Sequence, residues 1–366
     1  MALLWADDFT IYGIGGQAYM TNGNYAEVHP ASFSGTTTIV ADPDPSGTGQ
    51  GVFKISGTAN SYAQTTSSFF RKAFPSAKTT IGGAVRLWMS ALPSSTAYAP
   101  AIVFCDSNNA INLSLVVNTV GAFTVYRGAP YTGTLLGTSA VGLTANAWHH
   151  VEWKVKADNS TGTVEIRVND NVVITLTGQD TTAQTEQSFS QMAFHHWESG
   201  SSSAILSTYY RDYIVWDTTG SQNNDFMGPC YVARKTVTAD STFTWTPSSG
   251  ATGYNLINEA GPVDTSYISA AWPAPAVSKF ALDDVPADTT SIRGIMLMGR
   301  FQKSDGGDCT IQMSVDSGGT LTNGSTHNIT TAFTYWTDIL ELNTATSSPF
   351  TPTEFNNLKL VINRTA

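Results

Sequence analysis

The chain is poor in charge: of 366 residues only 13% are Asp, Glu, Lys or Arg, and the formal net charge is −10. No cluster of Lys and Arg is present, so the counterion-releasing surface that nucleic acid or an anionic membrane requires is missing. Cysteine is scarce and odd in number. Cys105, Cys230 and Cys309 lie far apart with no CxxC spacing, which excludes a zinc or redox motif and leaves reduced, mostly buried thiols as the expectation. No apolar run approaches the roughly 18 residues a membrane-spanning helix needs. The opening MALLWADDFT reaches Asp7 and Asp8 before a secretory apolar segment could form, so the chain is expected to be made in the cytoplasm, with no signal peptide and no membrane insertion. Heptads, internal repeats and low-complexity tracts are also lacking, which argues against a long fibrous shaft.

Helical periodicity is nearly missing too, and period-two alternation between clusters of Gly, Asn, Asp and Ser takes its place. In WHHVEWKVKADNSTGTVEIRVNDNVVITL (148–176), Val151, Trp153 and Val155 face one way and Glu152, Lys154 and Lys156 the other. Val164, Ile166 and Val168 repeat the apolar face after the ADNSTG turn, with Glu165 and Arg167 outward. Segments 52–55, 80–89, 101–104, 111–117 and 123–126 read as further strands. The expected fold is all-β, two β-sandwich jelly rolls. Residues 1–217 form the first and 225–366 the second, joined by the small polar connector 218–224. Second-domain strands are expected at TFTWT, YNLIN, IRGIMLM, CTIQMSV and LKLVIN. One helical turn is predicted near the end, where Thr351, Pro352 and Glu354 make a capping box.

The elements WHHVEWKVK, EIRVNDNVV and YYRDYIVWD resemble those of concanavalin A-like or laminin G-like jelly rolls over residues 1–217. Over the whole chain, LLWADDFTIYG, DYIVWDTTGSQNNDFMG, TFTWTPSSGATGYNLINEAGPVDTSYIS, FALDDVPADTTSIRGIMLMGR and PFTPTEFNNLKLVI resemble virion proteins of tailed bacteriophages. That resemblance implies a virion location, other virion proteins as partners and a non-enzymatic structural role at the tail or a fibre. A capsid decoration or head-fibre protein is the alternative, and a lectin-like adhesin binding host-surface glycans a second. Relatives tend to carry two consecutive acids where Arg211-Asp212 stands, so Arg211 is a departure that is expected to pair with Asp212 or a neighbouring acid.

Laminin G-like domains often bind calcium at loop carboxylates, which makes Asp42, Asp44, Asp106 and Asp217 candidate ligands; no other cofactor is expected. Asp42-Pro43-Asp44-Pro45-Ser46-Gly47 starts like an EF-hand loop, but Phe53 stands where the bidentate Glu is required. Glucanases with this kind of fold carry paired catalytic carboxylates on one strand, and no Glu-x-Asp-x-x-Glu pattern occurs here. Glu152 and Glu165 instead read as solvent-facing members of ion pairs. His149, His150, His195 and His196 read as hydrogen-bonded structural residues, because neighbours on a strand point to opposite faces. Sugar binding needs an aromatic platform beside polar groups, for which Trp216, Tyr210, Trp197 and Tyr131 are the candidates. Uncharged Thr- and Asn-rich faces that can mate with little charge desolvation lead to the expectation of a homo-oligomer.

Overall fold

The computed structural model describes residues 2–21, 25–29, 36–43, 51–57, 69–94, 98–198, 206–259, 261–271 and 276–365, with the side chains of Gln17, Glu27, His29, Thr36, Phe69, Tyr98, Ala99, Val141, Trp197 and Glu198 outside that set. As expected, the fold is all-β, and the chain forms two compact units, one of residues up to Thr21 with Tyr25–Val232, the other chiefly Ala233–Ala366.

The strands of the first unit are β1 (Leu3–Asp7), β2 (Glu27–His29), β3 (Thr36–Ala41), β4 (Gly51–Gly57), β5 (Phe69–Lys78), β6 (Thr80–Met89), β7 (Tyr98–Cys105), β8 (Ile111–Val117), β9 (Ala122–Arg127), β10 (Thr134–Gly142), β11 (His149–Lys156), β12 (Gly162–Val168), β13 (Asn171–Gln179), β14 (Phe189–Glu198) and β15 (Leu206–Asp217). They form two antiparallel sheets. One is ordered β13-β12-β11-β6-β15-β4-β3, with β1 also on β15, and the other β10-β9-β8-β7-β14-β5-β2. Between them lies an aromatic core in which the Phe70 ring meets Phe53 at 4.6 Å and Phe194 at 4.7 Å between centroids. Such pairs add to the area they bury.

Two tryptophans sandwich the glycines of β6. A Cβ on Gly83 would enter the Trp153 indole and one on Gly82 the Trp216 indole. Trp153 lies on the core side against Phe194, and Trp216 on the opposite side against Phe226. On β15 strict alternation would put Arg211 on the same face as Tyr213 and Val215. The structure differs, because Asp212 adopts φ 53° and the register against β6 shifts between Arg211 and Ile214. This bulge lets Tyr210 and Tyr213 both reach Phe70 and Phe194. It also leaves Arg211 beside Asp212, at 3.6 Å, as a β-bulge re-aims side chains.

The connector expected at 218–224 is not where the first unit ends. The chain up to Val232 lies as a strap across the outer face of the β11–β15 sheet. Asp225 pairs with Lys154 at 3.0 Å, and Phe226 sits 3.8 Å beneath the Arg167 guanidinium. The amides of Met227 and Gly228 donate to Glu152 at 2.9 and 3.2 Å, and that of Val232 donates to Asp212 at 2.8 Å. The physical reason is polar satisfaction: carboxylates on this face need donors once covered, and the strap's backbone supplies them. Glu152, expected on a solvent face, is consequently 0% exposed.

The second unit comprises β16 (Val237–Thr242), β17 (Thr246–Pro247), β18 (Ile268–Ser269), β19 (Ala276–Leu282), β20 (Ile295–Phe301), β21 (Thr310–Ser317), β22 (Thr320–Asn328), β23 (Thr334–Leu340), α1 (Pro352–Phe355) and β24 (Lys359–Arg364). Its main sheet runs β16-β19-β24-β21-β22. The β20–β23 pair closes over it through Ile295, Leu297 and Leu340 against Met313 and Val315. YNLIN is a 3-10 turn rather than a strand, since the Asp240 carboxylate takes the Gly253 and Tyr254 amides at 2.9 and 2.8 Å. The predicted capping box is present at α1, with the Glu354 amide donating to Thr351 Oγ1 at 3.2 Å. None of the three cysteines forms a disulfide, and only Cys105 is buried.

Candidate functional site

Strand β8, INLSLVV, is buried along its whole length although it carries Asn112 and Ser114. Those two polar residues anchor two loops. Asn112 Oδ1 accepts from the Gln184 amide at 2.8 Å, and its Nδ2 donates to the carbonyls of Glu186 and Ser188, each at 3.2 Å. Ser114 donates to the Gly128 carbonyl, and the Gly128 amide returns a bond to the Asn112 carbonyl at 2.8 Å. The 128–133 loop is then closed by Gly133 donating to Ala129 at 2.8 Å, where a Cβ on Gly133 would strike the Arg127 carbonyl. The 181–188 loop is held by Glu186, which takes the Ser107 amide and hydroxyl at 3.0 and 2.7 Å. These bonds hold the Glu186 carboxyl down at about 2.

Between the loops opens a cleft of about 340 Å³ lined by Arg127, Thr132, Thr134 and Gln184 over Ala110 and Ile111. Arg127 is fixed at the lip by Asp180 at 2.7 Å. Hydroxyls, an amide and one paired guanidinium can hydrogen-bond a polyhydroxylated or amide-bearing ligand; they supply no nucleophile with an adjacent base. Tyr131, in the loop between cleft residues Ala129 and Thr132, adopts φ 61°. Its half-buried ring lies 5.6 Å from Tyr126, above a floor of Ala101, Val103, Cys105 and Ala193. The Tyr131 hydroxyl has no protein partner among the described residues. Burial, with Tyr126 beside it, raises its pKa.

The other aromatic candidates are not brought to this place. Trp216 and Tyr210 are buried at 0% and 2% exposure and offer no ring face to a sugar. The side chain of Trp197 lies outside the described residues. Asn112 and Gln184 were missed by sequence reasoning; the one available signal was the interruption of an otherwise apolar strand by Asn112 and Ser114.

The calcium candidates are dispersed. Asp42 is bound by Arg211 and by Trp148 Nε1, the latter at 3.1 Å. Asp106 turns back on the amides of Asn108 and Ala110, both at 2.8 Å. Asp217 pairs with Lys78 at 2.7 Å and takes the Thr219 amide at 2.8 Å. Asp44 lies outside the described residues. Among the described residues no group of three or more His, Cys, Asp or Glu is placed to hold a metal ion. Arg211 does pair with a neighbouring acid, and its guanidinium also lies 4.4 Å over the Trp148 ring.

Several carboxyls have raised pKa values, the behaviour expected of buried or catalytic acids. Burial and neighbouring Asp8 push Asp7 to about 7 against the Phe9 amide and the hydroxyls of Tyr25 and Tyr12. Burial lifts Asp212 to about 6 against the Val232 amide, Arg86 and Arg211. Glu152 is raised for the same first reason, opposed by the strap amides. None of the three lines the cleft. Burial likewise pushes His150 down to about 4 and His196 to about 3. Among the described residues no helix is long and apolar enough to cross a membrane.

A scan against protein-family models finds no match, and a search of curated proteins finds none. Solved structures similar to this chain include a sialidase, at 12% identity and TM-score 0.41, over 58% of this chain and 18% of the sialidase. A cellulose-induced protein, Cip1, matches at 14% identity and TM-score 0.40, over 58% of this chain and 96% of its own. The carbohydrate-binding module CBM66 from Bacillus subtilis matches at 12% identity and TM-score 0.31, over 50% and 96%. At such identities and TM-scores no functional statement rests on these likenesses, and the fold stands on the strand topology itself.

Proposed function

We propose that this chain is a non-enzymatic structural component of a tailed-phage particle, present in several copies, whose first unit holds a glycan at the cleft between the 128–133 and 181–188 loops. The virion part is supported by the sequence resemblance that runs through both units and the segment between them. The glycan part is carried by one observation: an open, hydrogen-bonding cleft about 340 Å³ in volume, lined by Ala129 and Thr132 of the loop that also carries the half-buried Tyr131. Sugars pair an apolar ring face with many hydroxyls, and a tyrosine next to amides and hydroxyls answers both. The absence of catalysis is part of the proposal. Its support is that the acids with raised pKa values are enclosed by tyrosines and backbone amides, away from the cleft.

Oligosaccharides from host surface polysaccharides, screened on an array with the intact chain, should show retention that Tyr131→Ala reduces about tenfold or more, the loss of one stacking anchor. Circular dichroism of the variant should match the wild type, so that the loss belongs to the site and not to the fold. A blank array, or retention by Tyr131→Ala and Gln184→Ala variants equal to that of the wild type, overturns the glycan reading. Release of reducing ends overturns the non-enzymatic one. Mass spectrometry of purified particles tests the virion reading separately, and hundreds of copies per particle would place the protein on the head rather than the tail.

A further inference from the structure

We propose that the sugar taken by the cleft carries a carboxylate, and that Arg127 is the residue that selects it. The inference rests on the glycan reading above and deepens it, naming the chemical class of the ligand and the side chain that recognises it. Among the described residues lining the cleft, Arg127 is the one that carries charge, and no Asp or Glu joins it. Its position is fixed from both sides. On β9 it stands opposite Leu113 of β8 and Thr134 of β10, so the guanidinium extends from a backbone held between two paired strands.

The lining is rich in donors and short of unused acceptors. The Ala110 carbonyl already accepts the Asp106 amide at 3.0 Å, the Ile111 carbonyl the Gln184 side-chain amide at 3.4 Å, and the Ala129 carbonyl the Gly133 amide at 2.8 Å. The Gly128 carbonyl takes the Ser114 hydroxyl. By contrast, the backbone amides of Ala129 and Ala183 have no protein partner among the described residues. Arg127 itself is bound at one contact, from Nη1 to Asp180 at 2.7 Å, and a guanidinium has further N–H groups to give. A carboxylate, which only accepts, fits such a lining better than a hydroxyl, which also brings a donor to be satisfied.

Asp180 orients Arg127 without sealing it. Its other oxygen accepts the Thr182 amide at 3.1 Å, so the carboxylate stays tied to the adjoining loop when the guanidinium turns to a ligand. The side chains of the pair are 37% and 33% exposed; an ion pair so open to water holds weakly and is readily shared. Glu186, the acid of the 181–188 loop, is committed to the hydroxyls of Ser107, Ser188 and Ser190. The net charge of −10 opposes an acidic ligand at a distance. In ~0.15 M salt that field fades over about 8 Å, which leaves donors at contact range to decide.

Affinity chromatography on the intact immobilised chain, at ~0.15 M salt, compares oligomers of glucuronic, galacturonic and mannuronic acid with their methyl esters and with a galactose oligomer. At least one acid should be retained about fivefold or more over its own ester, which lacks the charge. Arg127→Gln should bring that acid down to the level of its ester. Asp180→Asn should raise retention of the acid about twofold or more, because the competing carboxylate is gone while an amide oxygen still accepts from Thr182. Circular dichroism of both variants should match the wild type. Equal retention of acids and esters, retention of the galactose oligomer alone, or an Arg127→Gln variant that keeps the preference overturns the carboxylate inference while the glycan reading stands. Retention of none of these probes overturns it too, and the glycan reading is then decided by its own array and the Tyr131→Ala variant.

Discussion

Replacing Glu152 with alanine should loosen the strap at 218–232 and destabilise the first unit by about 2–4 kcal/mol. The side chain is 0% exposed and accepts both the Met227 and Gly228 amides through one oxygen. Truncation strands these donors, and each unsatisfied buried group costs about 1–3 kcal/mol. Gly228, half-buried, can recruit water and falls at the low end. For a unit of this size a loss of this kind lowers Tm by about 2–4 °C per kcal/mol. Glu152→Gln keeps a carbonyl acceptor and should lose under about 1 kcal/mol. It should also alter the pH response. Because burial raises the Glu152 pKa, its contribution is complete below the ordinary carboxylate range and is lost as pH rises through the folded pKa. The glutamine variant should lose that component. Thermal unfolding across pH, with amide hydrogen exchange of 218–232, measures both effects. A Glu152→Ala loss under about 0.5 kcal/mol, with unchanged exchange at Met227 and Gly228, would refute the claim that the strap is held by buried donors seeking this carboxylate.

Gly83→Ala should cost about 1–3 kcal/mol or more, since its methyl enters the Trp153 indole and the core must shift; calorimetry reads the loss, and a neutral result would mean the two sheets are not so closely packed. Asp7, raised to about 7 chiefly by burial, contributes stability that is lost as pH climbs from about 4 to 7. Asp7→Asn should flatten that slope, and an unaltered slope in chemical denaturation would show that Asp7 does not titrate there. His196, pushed down to about 3 by burial, acts in the opposite sense: its contribution is present above the ordinary histidine value and lost as pH falls. The acid limb of stability should therefore soften in His196→Gln, with Thr208 retained as its hydrogen-bond partner; an acid limb as steep as the wild type's would sink the assignment.

Local alternation was enough to place β6, β8, β11 and β12 within a residue or two and, on β11 and β12, to separate the core-facing residues from the rest. The capping box at Thr351 was equally legible, being a contact between residues three apart. Alternation failed at β15, where the positive φ of Asp212 inserts a residue and moves Arg211 to the other face. It failed as well at YNLIN, where a carboxylate from β16 captures the amides of the turn. Neither event leaves a periodic trace in the chain. On the 128–133 loop, Tyr131 was named from its residue type alone, whereas Asn112 and Gln184 became visible only once strands distant in sequence were adjacent.

Composition and short-range pattern thus carried the all-β class and the short C-terminal helix, since each depends on residue types or neighbours a few positions apart. Long-range burial determined the rest. It turned Glu152 from a surface acid into the anchor of a strap, enclosed Trp216 and Tyr210, dispersed Asp42, Asp106 and Asp217 among separate partners, and opened a polar cleft lined by Arg127, Thr132 and Gln184. The exposure of a side chain and the partners of a charge belong to whatever the chain folds over them, and that covering comes from segments tens of residues away.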